Sequence, residues 1–310
     1  MKKIAVIGSM NVDLVSRVPR FLMPGETLRG LDFQVFTGGK GGNQAVAASR
    51  LLPGVMMLGK LGDDQNGAIY QRALDDSGID DRCVETVPGV VNGTTVIEVA
   101  DDSGDNRIIY FPGANLLVDR AQIDAHFEQL LACDVFLLQL EIPLDTVAYA
   151  AEKLHRAGKT VILDPAPAVP LPAGLLKHVD YITPNETELA LLTGLDTGSR
   201  DHLIEAARKL NRMGAAAVIA KAGADGAYFV KGDELIHAPG FQVKTVDTTA
   251  AGDSFNAGFA AGLCRGMAVP EALRFANAVA ALSTTGAGAQ GAMPAYEAVT
   301  AFLDAYQKGV

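Results

Sequence analysis

The chain has 310 residues, of which 49% are hydrophobic and 20% charged. That is enough apolar material for one large or two smaller packed domains and excludes a disordered chain. The net charge of −10, with no Lys/Arg-rich run, argues against nucleic acid or an anionic membrane as partner.

In chain order, Ile4 to Gly8 is a short apolar run of the kind expected for a buried parallel strand. It is too short for a signal-peptide core, and no run approaches the length of a transmembrane helix, so a cytoplasmic location is expected. Val12 to Phe36 follows, with Pro19, Pro24 and Gly25 between short β-like runs. Gly39 to Leu52 reads as helix after a glycine-rich start, Val55 to Leu61 as strand, and Gln65 to Ser77 as helix stopped by Gly78. Thr94 to Val99 and Arg107 to Phe111 flank the turn signal Asp101-Asp102-Ser103-Gly104-Asp105 and predict a β-hairpin.

A regular alternation then begins. Val135 to Leu138, Thr160 to Leu163, Tyr181-Ile182 and Ala216 to Ala220 read as strands, with helices over Leu144 to Arg156 and Arg200 to Met213. Phe241 to Val246 is a further predicted strand. The last third is helical: Ser254 to Cys264, Val269 to Thr284 and Tyr296 to Gln307. The pattern predicts an α/β fold built on a mainly parallel sheet. The segments of about 12–36 and 94–111 stand outside the alternation and predict a small β flap. Ligands in open α/β sheets lie at the carboxyl ends of the strands, where a flap can close over them. Cys83, Cys133 and Cys264 have no C-x-x-C spacing and read as reduced thiols rather than a zinc site or disulfide framework.

The most informative motif is Asp247-Thr248-Thr249-Ala250-Ala251-Gly252-Asp253, where predicted strand passes into helix. Small residues let a ligand touch the backbone, and a helix N-terminus offers open N–H groups to an anion. A carboxylate at that point either caps the helix or takes a proton from a group attacking a phosphate; the motif alone leaves both readings open. Gly38-Gly39-Lys40-Gly41-Gly42-Asn43 before a helix suits a bound ligand better than a flexible loop. Asn11 and Asp13 suit a polyhydroxylated ligand, or form an Asx turn. Asn185 and Glu188 share a helix face and suit water-mediated Mg²⁺, or simply cap a helix. Lys221-Ala222-Gly223-Ala224-Asp225-Gly226 suits close approach of a nucleotide or an ordinary hairpin turn equally. Gly286 to Gly291 matches G-x-G-x-x-G, but it follows a predicted helix, so a dinucleotide fold is rejected. A P-loop, an H-E-x-x-H motif and a G-x-S-x-G elbow are absent.

Taken together, these motifs resemble the ribokinase-like (PfkB) family of sugar kinases over essentially the whole chain. Gly38 to Asn43 and Asp247 to Asp253 are similar to its two signatures, in order and at the expected separation. Pro24-Gly25-Glu26-Thr27, Leu140-Glu141 and Thr183-Pro184-Asn185-Glu186 add to the likeness. The resemblance implies a single three-layer α/β/α domain over 1–310 with a β lid formed by about 12–36 and 94–111. It implies ATP-dependent phosphorylation of the ribose 5-hydroxyl, with deoxyribose, fructose, another pentose or ketose, or a nucleoside as alternative acceptors. A non-catalytic sugar-binding regulator is the rival from another class. It further implies Asp253 as general base and Ala250, Ala251, Gly252 and Asp253 as anion hole. Asn11, Asp13, Gly39, Lys40, Asn43, Glu141 and Asp253 would contact sugar. Asn185, Lys221, Gly223, Gly226 and Asn277 would lie along ATP, with Glu188 near Mg²⁺. Asp247, Thr249, Ser283, Gly286 and Gly288 match a monovalent-cation (K⁺) loop. Lys221 departs from the threonine common in the family's ribose kinases, and Gly286 and Ala292 replace bulkier or polar residues near the cation loop. A homodimer built through the β flap is also implied.

Overall fold

The computed structural model describes residues 2–308. Thirteen strands carry the fold: β1 (Ile4–Ile7), β2 (Asn11–Val18), β3 (Asp32–Gly38), β4 (Met56–Gly62), β5 (Asp80–Val87), β6 (Gly93–Ala100), β7 (Asn106–Phe111), β8 (Val135–Leu138), β9 (Thr160–Leu163), β10 (Tyr181–Ile182), β11 (Val218–Lys221), β12 (Ala227–Lys231) and β13 (Glu234–Ala238). The helices are α1 (Lys40–Leu51), α2 (Gln65–Asp76), α3 (Arg120–Ala125), α4 (Phe127–Leu130), α5 (Leu144–Arg156), α6 (Glu186–Thr193), α7 (Arg200–Arg212), α8 (Ala251–Cys264), α9 (Val269–Ser283) and α10 (Tyr296–Gln307).

Nine strands form one sheet in the order β13-β12-β11-β10-β9-β8-β1-β4-β5. It is parallel from β11 to β5, with an antiparallel hairpin at the other edge. Its strands are buried on both faces, and the alternation of side chains sorts the core into two. Ile4, Val6, Leu137 and Ile219 join α1, α2, α8, α9 and α10 on one face. Ala5, Ile7, Phe136, Leu138 and Ala220 join α3, α5 and α7 on the other. This is the three-layer α/β/α arrangement. Helix phasing follows the same rule: α5 buries Val147, Ala150, Ala151 and Leu154, and α7 buries Leu203, Ala206, Ala207 and Leu210. Ser199 starts α7 by accepting from the His202 N–H.

The other four strands form a separate sheet, β3-β2-β6-β7, with β2 parallel to β6 and the other pairs antiparallel. It takes up the two stretches that do not fit the βα alternation.

Three elements differ from the sequence expectation. Phe241–Val246 is not a strand. Phe241 is drawn edge-on to Phe302 and Tyr306 of α10, and Gln242, Val243 and Thr245 line a groove instead of pairing with a sheet edge. β5 and the β12–β13 hairpin were not predicted: β5 mixes acidic and half-buried residues at a sheet edge, so no clean period shows. α8 begins at Ala251, three residues before the predicted start. Among the described residues no helix is long and apolar enough to cross a membrane, and the three cysteines are buried and unpaired.

Phe259 lies on the buried face of α8, fully enclosed, with its ring edge-on to Tyr181 at 5.0 Å between centroids. Phe259→Ala should lower unfolding free energy by about 3–5 kcal/mol, read as a fall in the guanidinium midpoint at unchanged slope.

Candidate active site

Two helix N-termini meet at this site. The turn before α1 is built for close approach. Gly39 has φ +79°, and a side chain there would sit 2.7 Å from the Asn11 nitrogen. A Cβ on Gly41 would lie 2.6 Å from the Ser9 nitrogen, so only glycine lets α1 lie this close to the end of β1. Ala250, just before α8, has φ +60°, the one non-glycine in the left-handed region among the described residues. That conformation is costly for an L-residue and turns the chain sharply into α8.

Asp253 does not cap α8. Its side chain is 5% exposed and turned toward α1, accepting from Asn43 Nδ2 at 3.1 Å and Gln44 Nε2 at 3.0 Å. The structure therefore decides against the capping reading that the motif left open. Ala251 N–H is turned back onto Thr248 O at 3.2 Å. That leaves the Gly252 and Asp253 N–H groups as the open donors of the first turn, fewer than the four-residue anion hole expected. Burial drives the Asp253 carboxyl up to about 6, with Asp164 adding to the rise; Lys40 and the two amides pull the other way.

On one side lies the polar cluster. Lys40 N–H and Ser9 Oγ both donate to Glu141 Oε2, at 3.0 and 2.5 Å. Asn11 Oδ1 accepts from Asn115 Nδ2 at 2.7 Å. Asp13 opens β2 and sits against Gly38, where a Cβ would meet its Oδ2 at 2.1 Å. Its carboxyl is raised to about 6 by burial, against a hydrogen bond from Thr95. Asn11 and Asp13 are thus strand residues facing the site, not an Asx turn. Burial alone would strip the Lys40 proton, but Asp253, Asp164, Glu141 and Glu188 hold the ammonium charged and above its usual range. Asn11, Asp13, Gly39, Lys40, Asn43, Glu141 and Asp253 are therefore all brought together.

On the other side runs a groove of about 350 Å³ lined by Lys221, Gly223, Gly226, Asn277, Thr248, Ala251 and Gly252 among others. Here the sequence alternatives merge, because Lys221 to Ala227 is a β11–β12 hairpin turn and also the groove wall. Any side chain on Gly226 would collide with the backbone of Ala238 and Gly240. Asn277 donates from Nδ2 to Ala238 and Pro239 carbonyls, fixing that wall to α9. Lys221 ends the groove: its Nζ is 3.0 Å from Asp164 Oδ1 and would touch a Cβ on Gly252 at 3.4 Å. Asn185 bridges to Lys221 through its backbone but does not line the groove. Its side chain and Glu188 form a reciprocal capping box at the start of α6. Burial raises the Glu188 carboxyl, against the attraction of Lys221.

The loop around Asp247 is tied by its carboxylate. Oδ1 accepts from Thr249 N and Oγ1 at 2.9 and 2.7 Å, and Oδ2 accepts from Gly288 N at 3.0 Å. These contacts lower the Asp247 carboxyl below its usual range in spite of partial burial. Ser283 turns its hydroxyl back to Ala280 O, and Gly286 lies beside Ala292. Among the described residues no three acidic, His or Cys side chains cluster to hold a metal on their own.

Sequence reading missed Ser9, Gln44, Asn115, Asp164 and Gln290. Asp164 carried a usable signal: it directly follows β9, where ligands gather at strand carboxyl ends. Gln290 carried none, since only the tertiary fold puts it between Thr37 Oγ1 and Asn43 Oδ1.

A buried carboxylate beside the open N–H groups of a helix start, with a groove on one side and a polar cluster on the other, suits phosphoryl transfer to a small polar acceptor. The sequence profile of the pfkB family carbohydrate kinases matches residues 1–296, and the chain belongs to that family. It is 39% identical to a ribokinase of Haemophilus influenzae over 303 residues, 98% of this chain and 99% of that one. It is 40% identical to a deoxyribokinase of Salmonella typhi over 301 residues, 97% and 98% of the two chains. The structure of Arabidopsis thaliana ribokinase complexed with ribose and ATP superimposes with a TM-score of 0.92 at 33% identity, covering 97% and 98%. The chain is a carbohydrate kinase that moves a phosphoryl group to a sugar hydroxyl.

Two expectations follow from the geometry. A protonated Asp253 cannot accept a proton, so kcat/KM should fall tenfold per pH unit below about 6. The fall steepens if Asp13, which titrates in the same range, must also be ionised. A pH–rate profile flat down to pH 4 would exclude a base with this environment. Gly41→Val should push α1 off β1 and misplace Asn43 and Gln44, lowering kcat at least about tenfold, measured at saturating substrates.

Proposed function

We propose that this chain transfers the γ-phosphoryl group of ATP to the 5-hydroxyl of D-ribose. The observation that carries the reading is Asp253: a buried carboxylate, held by α1, beside the open N–H groups of α8 and between cluster and groove. The likeness to ribokinases, one of them complexed with ribose and ATP, supports ribose and ATP as the substrates. Deoxyribose is the second reading, raised by one 40% identical deoxyribokinase, but the several ribokinases among the relatives favour ribose.

In the reaction, Asp253 takes the proton of the primary hydroxyl as its oxygen attacks the γ-phosphorus. The new O–P bond forms as the bond to the β-phosphate oxygen breaks, and ADP leaves. The Gly252 and Asp253 amides and Lys221 offset charge on the transferring group. Asn11, Asp13, Asn43 and Glu141 hold the sugar so that one hydroxyl faces the base.

Glu188, with Asp164 close to the same end of the groove, suits a hard divalent ion held through water; both Glu188 oxygens already serve Asn185, which favours indirect contact. Mg²⁺ there would neutralise phosphate charge. By likeness to the family's cation loop, the Asp247 carboxylate, already tied to Thr249 and Gly288, together with Thr249, Ser283, Gly286 and Gly288 would offer oxygen donors that suit K⁺. A cation held there would stiffen the turn that aims the α8 amides.

The β3-β2-β6-β7 sheet is proposed as a lid. In register, Phe36, Asp13, Thr95 and Tyr110 form one row, so the row that includes Asp13 faces the sugar cluster. Phe33, Val35, Ile109 and Phe111, on the opposite face, are 44–60% exposed, which supports a homodimer through this sheet. A monomer in sedimentation at assay concentration would exclude the dimer. Unpaired cysteines agree with a reducing, cytoplasmic setting.

ADP release should be fastest per unit kcat/KM with ribose among ribose, 2-deoxyribose, fructose and nucleosides, and should rise on adding K⁺. A higher value for 2-deoxyribose replaces ribose as the substrate. Asp253→Asn should lower kcat by roughly 10²–10⁴-fold while ribose affinity, read by calorimetry, changes little; near-normal turnover would falsify the assignment of the base.

A further inference from the structure

A second buried carboxylate, Asp164, lies between Lys221 and the α1 amide of Gln44. It is 2% exposed and directly follows β9. Its Oδ1 faces Lys221 Nζ at 3.0 Å, and its Oδ2 accepts from Gln44 Nε2 at 3.0 Å. The same Gln44 amide nitrogen donates its other hydrogen to Asp253 Oδ1 at 3.0 Å. Gln44 Oε1 in turn accepts from Gln139 Nε2 at 2.7 Å, which fixes the amide orientation; the flipped amide would set an oxygen against two carboxylates. The result is one unbroken chain, Lys221–Asp164–Gln44–Asp253, running from the groove end to the base.

We propose that Asp164 and Gln44 are positioning residues that link the phosphate-facing ammonium of Lys221 to the proton acceptor Asp253, so that nucleotide phosphate and base are set by one buried network. This rests on the kinase reading above and concerns how that site is tuned. Lys221 belongs to the groove lining and reaches the Gly252 backbone, where the transferring phosphoryl group sits in the proposed reaction. When phosphate oxygens draw on that ammonium, Asp164 loses part of its counter-charge. Its negative charge then acts more fully on Asp253 through a single amide, and the base binds its proton more tightly as the phosphate arrives. Base strength is thereby coupled to occupancy of the groove.

The titratable groups that act on Asp253 are Lys40 from α1 and Asp164 after β9, and Tyr70 from α2 feels its charge; Glu141 after β8, Glu188 from α6, Lys221 from β11 and Asp13 from β2 belong to the same cluster through Lys40, Glu188 and Tyr70. Of these, Asp164 is the carboxylate that bears most on Asp253 and raises its proton affinity, while the Gln44 bond lowers it. The two neighbours therefore pull in opposite directions, and that opposition separates a tuning role from a merely structural one.

The test is the pH dependence of kcat/KM for ribose, beside the KM values for ribose and ATP, in wild type, Asp164→Asn, Asp164→Glu and Gln44→Leu. Asp164→Asn should move the acid limb down by roughly one pH unit, raise KM for ATP severalfold and leave KM for ribose within about twofold. Asp164→Glu should restore the limb toward wild type. Gln44→Leu, which leaves two carboxylates unbridged, should move it up. Limbs that stay in place, or that both move the same way, overturn the proposal. If Asp164→Asn does not fold by thermal melting, Gln44→Leu decides: an unmoved or lowered limb overturns it. Wild-type turnover that fails with every sugar would instead overturn the kinase reading itself.

Discussion

Everything at this site depends on one carboxylate being buried without a cation in direct contact. Asp253 stands in the first turn of α8, where its charge is favoured by the helix dipole but disfavoured by the loss of water. The conflict is met by two neutral amides, Asn43 and Gln44, consecutive residues of α1. They satisfy its oxygens without neutralising it, so it keeps a proton affinity raised to about 6 instead of being quenched by an ion pair. The same two bonds tie α1 to α8. The buried carboxylate and the helix-helix joint are the same object.

The close approach of the parts is a matter of absent side chains. Gly8 and Gly41 let β1 and α1 touch backbone to backbone, and Gly38 makes room for Asp13. Gly226 and Gly240 do the same at the groove wall. Strain is confined to Ala250, whose left-handed backbone is held by its neighbours on both sides: Ser254 N–H bonds its carbonyl and Ala251 N–H bonds Thr248. The charge balance is equally tight. Four carboxylates, Glu141, Asp164, Glu188 and Asp253, act on the Lys40 ammonium and hold it charged in spite of its burial. Lys221 pairs with Asp164 at 3.0 Å.

The small sheet shows how the fold separates chemistry from shape. Its strand β2 starts as the direct continuation of the chain out of β1, so Asn11 and Asp13 belong both to the site and to the flap. Gln290 extends that link, since it accepts from Thr37 on β3 and donates to Asn43 beside Asp253. The small sheet and the Asp253 carboxylate are therefore joined through Gln290 and Asn43, which gives the position of the sheet a physical route to the geometry around Asp253.

The sequence by itself determined the alternation of strand and helix and marked Asp253 as a candidate. Apolar runs such as Val135–Leu138 and Thr160–Leu163, alternating with helix-length segments, read as doubly buried strands, and the 3.6-residue spacing of Val147, Ala150 and Leu154 reads as a half-buried helix. Clustered small residues at 38–43 and 247–253 marked where backbone comes into close approach, because missing side chains are what such approach requires. What the sequence left open were matters of direction and partnership. Whether Asp253 capped its own helix or faced another, whether Asn185 and Glu188 bound each other, and whether Phe241 paired in a sheet or packed on α10 were decided by neighbours far away in the chain. Asp164 and Gln44 were invisible as a pair because they lie 120 residues apart and meet only across the sheet's carboxyl edge. Local periodicity reports which face is apolar; only the tertiary structure says which polar atoms must share the space that remains.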